Sequence, residues 1–85
     1  MKQLAVRVQS ETGLHARPAS QFVNEASKYS SEIKVQKNEK CVNGKSIMGI
    51  LGLCVNTGDE IIIIADGEDE EQAIEGINFL FEGGL

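Results

Sequence analysis

The pattern of apolar residues along this chain predicts an α+β fold, with helices packed on one face of a small, mainly antiparallel sheet. Three observations carry that expectation. Segments of period two and segments of helical period follow one another in the order β-α-β-β-α-β-α. Two strand-like segments are joined by only two residues, Asn38-Glu39, a length that suits a tight hairpin. The chain has 85 residues, 41% of them apolar. That is enough for one core and no more, because a domain of this size hides only about 60–65% of its unfolded surface. A single domain over residues 1–85 is expected.

Leu4, Val6 and Val8 alternate with Ala5, Arg7 and Gln9, so the first segment reads as a half-buried strand. Gly13 permits a sharp turn after it. Pro18 has no N–H to orphan and a φ already suited to a helix, so it fits a first helical turn. From Ala16 the apolar residues fall at Ala19, Phe22, Val23 and Ala26, with Tyr29 one turn on and Ser30-Ser31 as the expected end. Ile33 and Val35 restore the period of two, and Lys40 to Asn43 returns as the paired strand. Ser46 stands at an N-cap position before Ile47, Met48, Ile50 and Leu51, in a short helix that Gly49 and Gly52 should interrupt. Asn56-Thr57-Gly58-Asp59 is a turn cluster. The run Ile61 to Ile64 is short, β-branched and bounded by acids, and reads as a central strand. Asp69, with Gln72 three residues on, has the spacing of a capping box and opens a final helix striped by Ala73, Ile74, Ile77, Leu80 and Phe81. Gly83-Gly84 closes that helix, with a last turn expected to fray.

The net charge of −5 is unevenly laid out: positions 1–45 hold all eight basic residues and four acids, whereas positions 46–85 hold nine acids and no base. A basic face near His15 that steers acidic partners is one reading of that split, and a merely solvated surface is the other. Nucleic acid is a poor candidate, since the only aromatics are Phe22, Tyr29, Phe79 and Phe81 and no basic stripe carries stacking residues. With no long apolar segment and no charged-then-apolar leader, neither a membrane span nor secretion is expected, and an intracellular location follows. Cys41 and Cys54 lack zinc-ligand spacing with His15 and read as reduced small hydrophobes. No metal or other cofactor is expected.

The chemistry concentrates in Thr12-Gly13-Leu14-His15-Ala16-Arg17-Pro18-Ala19, where the only histidine sits between a turn glycine and a helix start. The first N–H groups of a helix lack internal partners and carry the positive end of its dipole, so an anion can bind there. Arg17 opposes that dipole and becomes favourable when a phosphate is nearby. A lone histidine or a lone arginine is ordinarily a solvated residue. Combined with Gly13 and Pro18 at this spacing, they favour phosphate handling, with neutral imidazole as the nucleophile. Thr12 offers either a hydroxyl donor to the same anion or a turn-stabilising contact.

These residues, together with Asn43-Gly44-Lys45-Ser46-Ile47-Met48-Gly49-Ile50, resemble the histidine-containing phosphocarrier family, HPr, of the bacterial phosphoenolpyruvate-dependent sugar phosphotransferase system. The resemblance spans nearly the whole chain, and two motifs at this separation are far more specific than either alone. It implies an open-faced β-sandwich, four strands carrying three helices on one face with the other face left open. The isoleucine run sits awkwardly with an open face, because alternate isoleucines would point toward water. Weak self-association through that face is allowed for, although the expected state is a monomer.

The resemblance further implies a cytoplasmic phosphocarrier and not an enzyme. The family's active histidine, matched by His15, accepts a phosphoryl group at Nδ1 from the phosphohistidine of enzyme I and donates it to sugar-specific IIA domains. Arg17 matches the arginine that helps hold the phosphoryl group, and the N–H groups of Ala16 and Arg17 are expected to contribute. In many low-GC Gram-positive bacteria the serine matched by Ser46 is phosphorylated by an ATP-dependent kinase. The modified protein then serves a carbon-catabolite transcription regulator as corepressor. The implied partners are therefore enzyme I, IIA domains, a Ser46 kinase and phosphatase, and that regulator. Without this context Ser46 would read as an N-cap alone. Ile47, Met48 and Leu51 are candidates for a docking patch, Met48 and Leu51 being preferred as contacts, and core packing is the competing explanation for each. Relatives that lack the active histidine use the fold as a regulatory binding module, which is the alternative reading. The intact Gly13-to-Pro18 motif favours the carrier.

Overall fold

The alternation of apolar and polar residues becomes a sheet whose helix-facing side is almost wholly aliphatic. The computed structural model describes residues 1–85. The elements are β1 (Lys2–Arg7), α1 (Ala16–Ala26), β2 (Glu32–Lys37), β3 (Lys40–Asn43), α2 (Ile47–Gly52), β4 (Glu60–Asp66) and α3 (Glu70–Glu82). Their order is the β-α-β-β-α-β-α expected from sequence, and every strand pair is antiparallel. The sheet runs β1-β4-β2-β3. Asn38 turns the β2–β3 hairpin with a φ of 56°, a left-handed conformation that asparagine tolerates well.

The isoleucine run occupies the centre of the sheet. Ile61 pairs with Val6 of β1, and Ile63 lies between Leu4 of β1 and Val35 of β2. Ile61, Ile63 and Ala65 are fully buried toward the helices, with Ile33 and Val35 beside them. The helices supply Ala19, Phe22 and Ala26 from α1, Ile50 from α2, and Ala73, Ile77 and Phe81 from α3. Phe22 and Phe81 meet edge to face at 6.2 Å between ring centres, joining α1 to α3. The opposite sheet face is open. Ile62 and Ile64 point to it, yet they are half-buried rather than exposed. Gln3 and Lys34 flank Ile64, and Ala5 and Gln36 flank Ile62, so neighbouring side chains shield them in part.

Four expectations are corrected. First, α1 stops at Ala26, short of Ser30-Ser31. Residues 27–29 continue as a turn, and the N–H groups of Ser30 and Ser31 are taken at 2.9 Å each by the Asp69 carboxylate. Second, and for the same reason, Asp69 does not form a capping box with Gln72. Its carboxylate reaches across to the turn after α1, where the buried Ser31 hydroxyl also donates to it. Glu70 instead reaches back to the Gly67 N–H at 3.2 Å. Third, Gly49 and Gly52 do not interrupt α2. The Ser46 hydroxyl accepts the Gly49 N–H at 3.1 Å, and buried Ile50 holds the helix to the core.

Fourth, the C-terminal turn is anchored. The Leu85 side chain is buried, its N–H bonds back to the Leu80 carbonyl, and its carbonyl oxygen accepts the N–H groups of Gln9 and Ser10. The acidic and basic halves of the chain interleave, because β4 of the acidic half is inserted between β1 and β2 of the basic half. Lys37 consequently pairs with Asp59 and Lys2 with Glu71.

Candidate functional site

His15 is the N-cap residue of α1, in extended conformation, and its side chain does not cap the helix. The imidazole is exposed and has no hydrogen-bond or ion-pair partner in the chain. Gly13 aims it: with φ of 67° the turn adopts a left-handed conformation, and a Cβ there would run into the Val55 carbonyl. Leu14, buried beside it, donates its N–H to that same carbonyl at 3.0 Å. The turn preceding His15 is thus fixed from both sides.

The N–H groups of Ala16 and Arg17 have no acceptor in the chain, and Pro18 has none to offer. The helix has no acid in its first turn, and the Arg17 guanidinium forms neither an ion pair nor a hydrogen bond. Two backbone donors, one free cation and an uncommitted imidazole therefore converge at one exposed helix start. Such an array can hold a tetrahedral dianion, through the dipole and charge-assisted hydrogen bonds.

The structure brings three of the expected site residues together: His15, Ala16 and Arg17 line one shallow groove with Glu11, Thr12, Pro18, Asn56 and Thr57. The Thr12 hydroxyl lies 3.5 Å from that of Ser10. A wider groove shares Arg17 and runs on between α1 and the end of α3, past Gln21, Lys28 and the exposed ring of Phe79. Ser46, Ile47, Met48 and Leu51 lie outside the His15 groove. Met48 is 77% exposed and Leu51, one turn on, 38%, whereas Ile47 is half-buried against the core. Met48 and Leu51 hence offer an apolar surface and Ile47 mainly packs.

Sequence reasoning missed Glu11, Asn56 and Thr57. The Thr57 hydroxyl sits 2.6 Å from the Ser10 carbonyl and 2.9 Å from that of Glu11, binding the two loops together. Asp59 closes the Asn56–Asp59 turn by accepting the Asn56 N–H at 2.8 Å, and it pairs with Lys37 at 3.1 Å. That backbone hydrogen bond, with Lys37 assisting, holds the Asp59 carboxyl below its ordinary range. Asn56 and Thr57 stood out only as turn formers. Their neighbourhood with His15 depends on the β1–β4 register, for which spacing alone gives no signal.

An HPr fold with an exposed histidine at the start of its first helix defines a class that comparison with known proteins confirms. The chain belongs to the HPr family, since residues 2–83 match the family described as "PTS HPr component phosphorylation site". It is 51% identical over 75 residues to the HPr-like protein Crh of Bacillus subtilis (strain 168), covering 88% of each chain. The crystal structure of an HPr from Thermoanaerobacter tengcongensis superposes with a TM-score of 0.96 at 49% identity, covering 99% of this chain and 94% of that one. A crystal structure of Bacillus subtilis Crh, described as an intertwined dimer with a swapped domain, gives 0.78 at 45% identity, covering 100% and 98%. The expectation of a monomer gains no support from that dimer.

Proposed function

We propose that this protein is a cytoplasmic phosphocarrier that accepts a phosphoryl group on His15 from phospho-enzyme I and passes it to sugar-specific IIA domains. The observation that carries the proposal is the uncommitted His15 imidazole, exposed beside the unpartnered N–H groups of Ala16 and Arg17 and the free Arg17 guanidinium. In transfer, the lone pair of the His15 ring nitrogen forms the new N–P bond as the donor's N–P bond breaks and returns its electron pair to the donor ring. Arg17 and the helix start then balance the charge that arrives. A shallow groove suits a group that is passed on, because a partner histidine must approach in line. Met48 and Leu51 supply an apolar docking surface for those partners, and Ser46 is the regulatory phosphorylation site. A phosphate there adds about −1.5 to −2 charges beside that surface.

A second reading, a regulatory module acting mainly through Ser46 in carbon catabolite control, is favoured by the 51% identity to the HPr-like protein Crh. One experiment separates the two. The purified protein is incubated with phosphoenolpyruvate and a bacterial enzyme I, and any phosphate is mapped by intact mass, peptide analysis and acid lability. An acid-labile phosphate on His15, absent from His15→Ala, is the expected result. No transfer to the folded protein from several competent enzyme I preparations would leave the regulatory module in its place.

A further inference from the structure

We infer that Glu11 sets how readily the phosphoryl group leaves His15, acting as a fixed negative charge opposed to Arg17 at the rim of the same groove. This rests on the phosphocarrier reading and deepens it. Glu11 is the only carboxylate among the residues lining the His15 groove, and Arg17 is the only arginine or lysine there. Both also line the wider groove beside α1, so the two residues border the same space. The Glu11 carboxylate has no hydrogen-bond or ion-pair partner, and neither has the Arg17 guanidinium, so neither charge is consumed elsewhere. The backbone beneath Glu11 is held in place. Its carbonyl and that of Ser10 face the Thr57 hydroxyl, while Ser10 also accepts the Gly13 N–H at 3.0 Å.

A phosphoryl group on His15 brings a dianion into this space. Arg17 and the helix start lower its energy, and Glu11 raises it. On transfer to a IIA domain, the N–P bond at His15 breaks and its electron pair returns to the His15 ring. The acceptor imidazole's lone pair forms the new N–P bond, and each ring keeps its remaining proton, so no net proton is consumed. The acceptor gains the dianion and this protein is relieved of its repulsion with Glu11. Glu11 is therefore a positioning charge that keeps the carrier from becoming a trap, and it acts through space on the phosphoryl group.

The test is the equilibrium phosphorylation of His15 with enzyme I in mixtures of phosphoenolpyruvate and pyruvate, read by intact mass for wild type, Glu11→Gln and Glu11→Asp. The ratio of phosphorylated to free protein should rise in Glu11→Gln by about threefold to tenfold at low salt, and the difference should shrink at high salt, as expected of exposed charges. Glu11→Asp should restore most of the wild-type ratio, and all three proteins should unfold at similar temperatures. A ratio for Glu11→Gln within twofold of wild type at low salt overturns the inference, as does a shift that salt leaves unchanged. If wild type itself accepts no phosphate, the carrier reading fails and the inference falls with it. If wild type is phosphorylated and Glu11→Gln matches it, Glu11 alone is excluded.

Discussion

Arg17 occupies a position where its charge is unfavourable until an anion arrives, since no acid of the first turn neutralises it. Removing it should leave folding intact, because the side chain is exposed and unpaired. In Arg17→Ala we expect transfer from phospho-enzyme I to slow about 10- to 100-fold, the worth of one charge-assisted hydrogen bond of about 1.5–3 kcal/mol, with a melting temperature equal to or slightly above that of wild type. Rapid-quench transfer assays alongside thermal unfolding would check both halves, and an unaltered rate would refute a role for Arg17 in holding the phosphoryl group. Ser46 carries a separate, purely structural duty as the cap of α2. Ser46→Ala should destabilise the protein by about 1 kcal/mol in urea unfolding without slowing phosphate acceptance by His15.

Among the elements, α3 is tied to α1 by contacts that depend on side-chain size and charge. Gly76 is placed so that any Cβ would collide with the Tyr29 hydroxyl, which donates to Glu25 at 2.8 Å. Gly76→Ala should therefore push aside the Tyr29 and Glu25 side-chain ends and disturb their hydrogen bond, offsetting the gain of about 1 kcal/mol usual for replacing a helical glycine, so that urea unfolding shows little net stabilisation. Asp69 supplies the other tie. Hydrogen bonds from the Ser31 hydroxyl first, and from the Ser30 and Ser31 N–H groups, bring its carboxyl from 3.8 down to about 2. A folded-state value below the unfolded one means that the folded protein binds fewer protons between the two. This stabilisation is complete above pH 3.8 and is lost as pH falls through about 2. Asp69→Asn should flatten that part of the acid-unfolding curve, measurable as a smaller loss of melting temperature between the two pH values.

Element type was legible because Leu4–Val8, Ile33–Val35 and Ala73–Phe81 keep strict periods. The role of Asp69 was not, because a carboxylate at an N-cap looks the same in sequence whether it bonds its own helix or a turn 38 residues away.

At the scale of the molecule, a core of 18 buried apolar residues is small, so single deletions within it weigh heavily. Ile77→Ala, at a fully buried site of α3, should cost about 2–5 kcal/mol, a large share of the roughly 5–15 kcal/mol typical of a folded domain. Equilibrium urea unfolding would read this directly. The candidate site shows what a sequence can and cannot convey at this scale. His15, Ala16 and Arg17 were legible because they are consecutive and share one helix start. The Asn56–Thr57 turn was not, since it meets the site only after β1 and β4 have paired, and Glu11 was not, since one acid beside a motif looks like any solvated charge.

The same pairing bears on how the chain is made. Synthesis delivers β1, β2 and β3 before β4, yet β1 touches neither of the other two in the finished sheet. Until residues 60–66 leave the ribosome, the β2–β3 hairpin is the only sheet the emerging chain can build, and the strand leading to His15 waits unpaired. The phosphate-handling end of the molecule, though encoded near the beginning, is complete only once β4 and the Asn56–Thr57 turn before it have joined it.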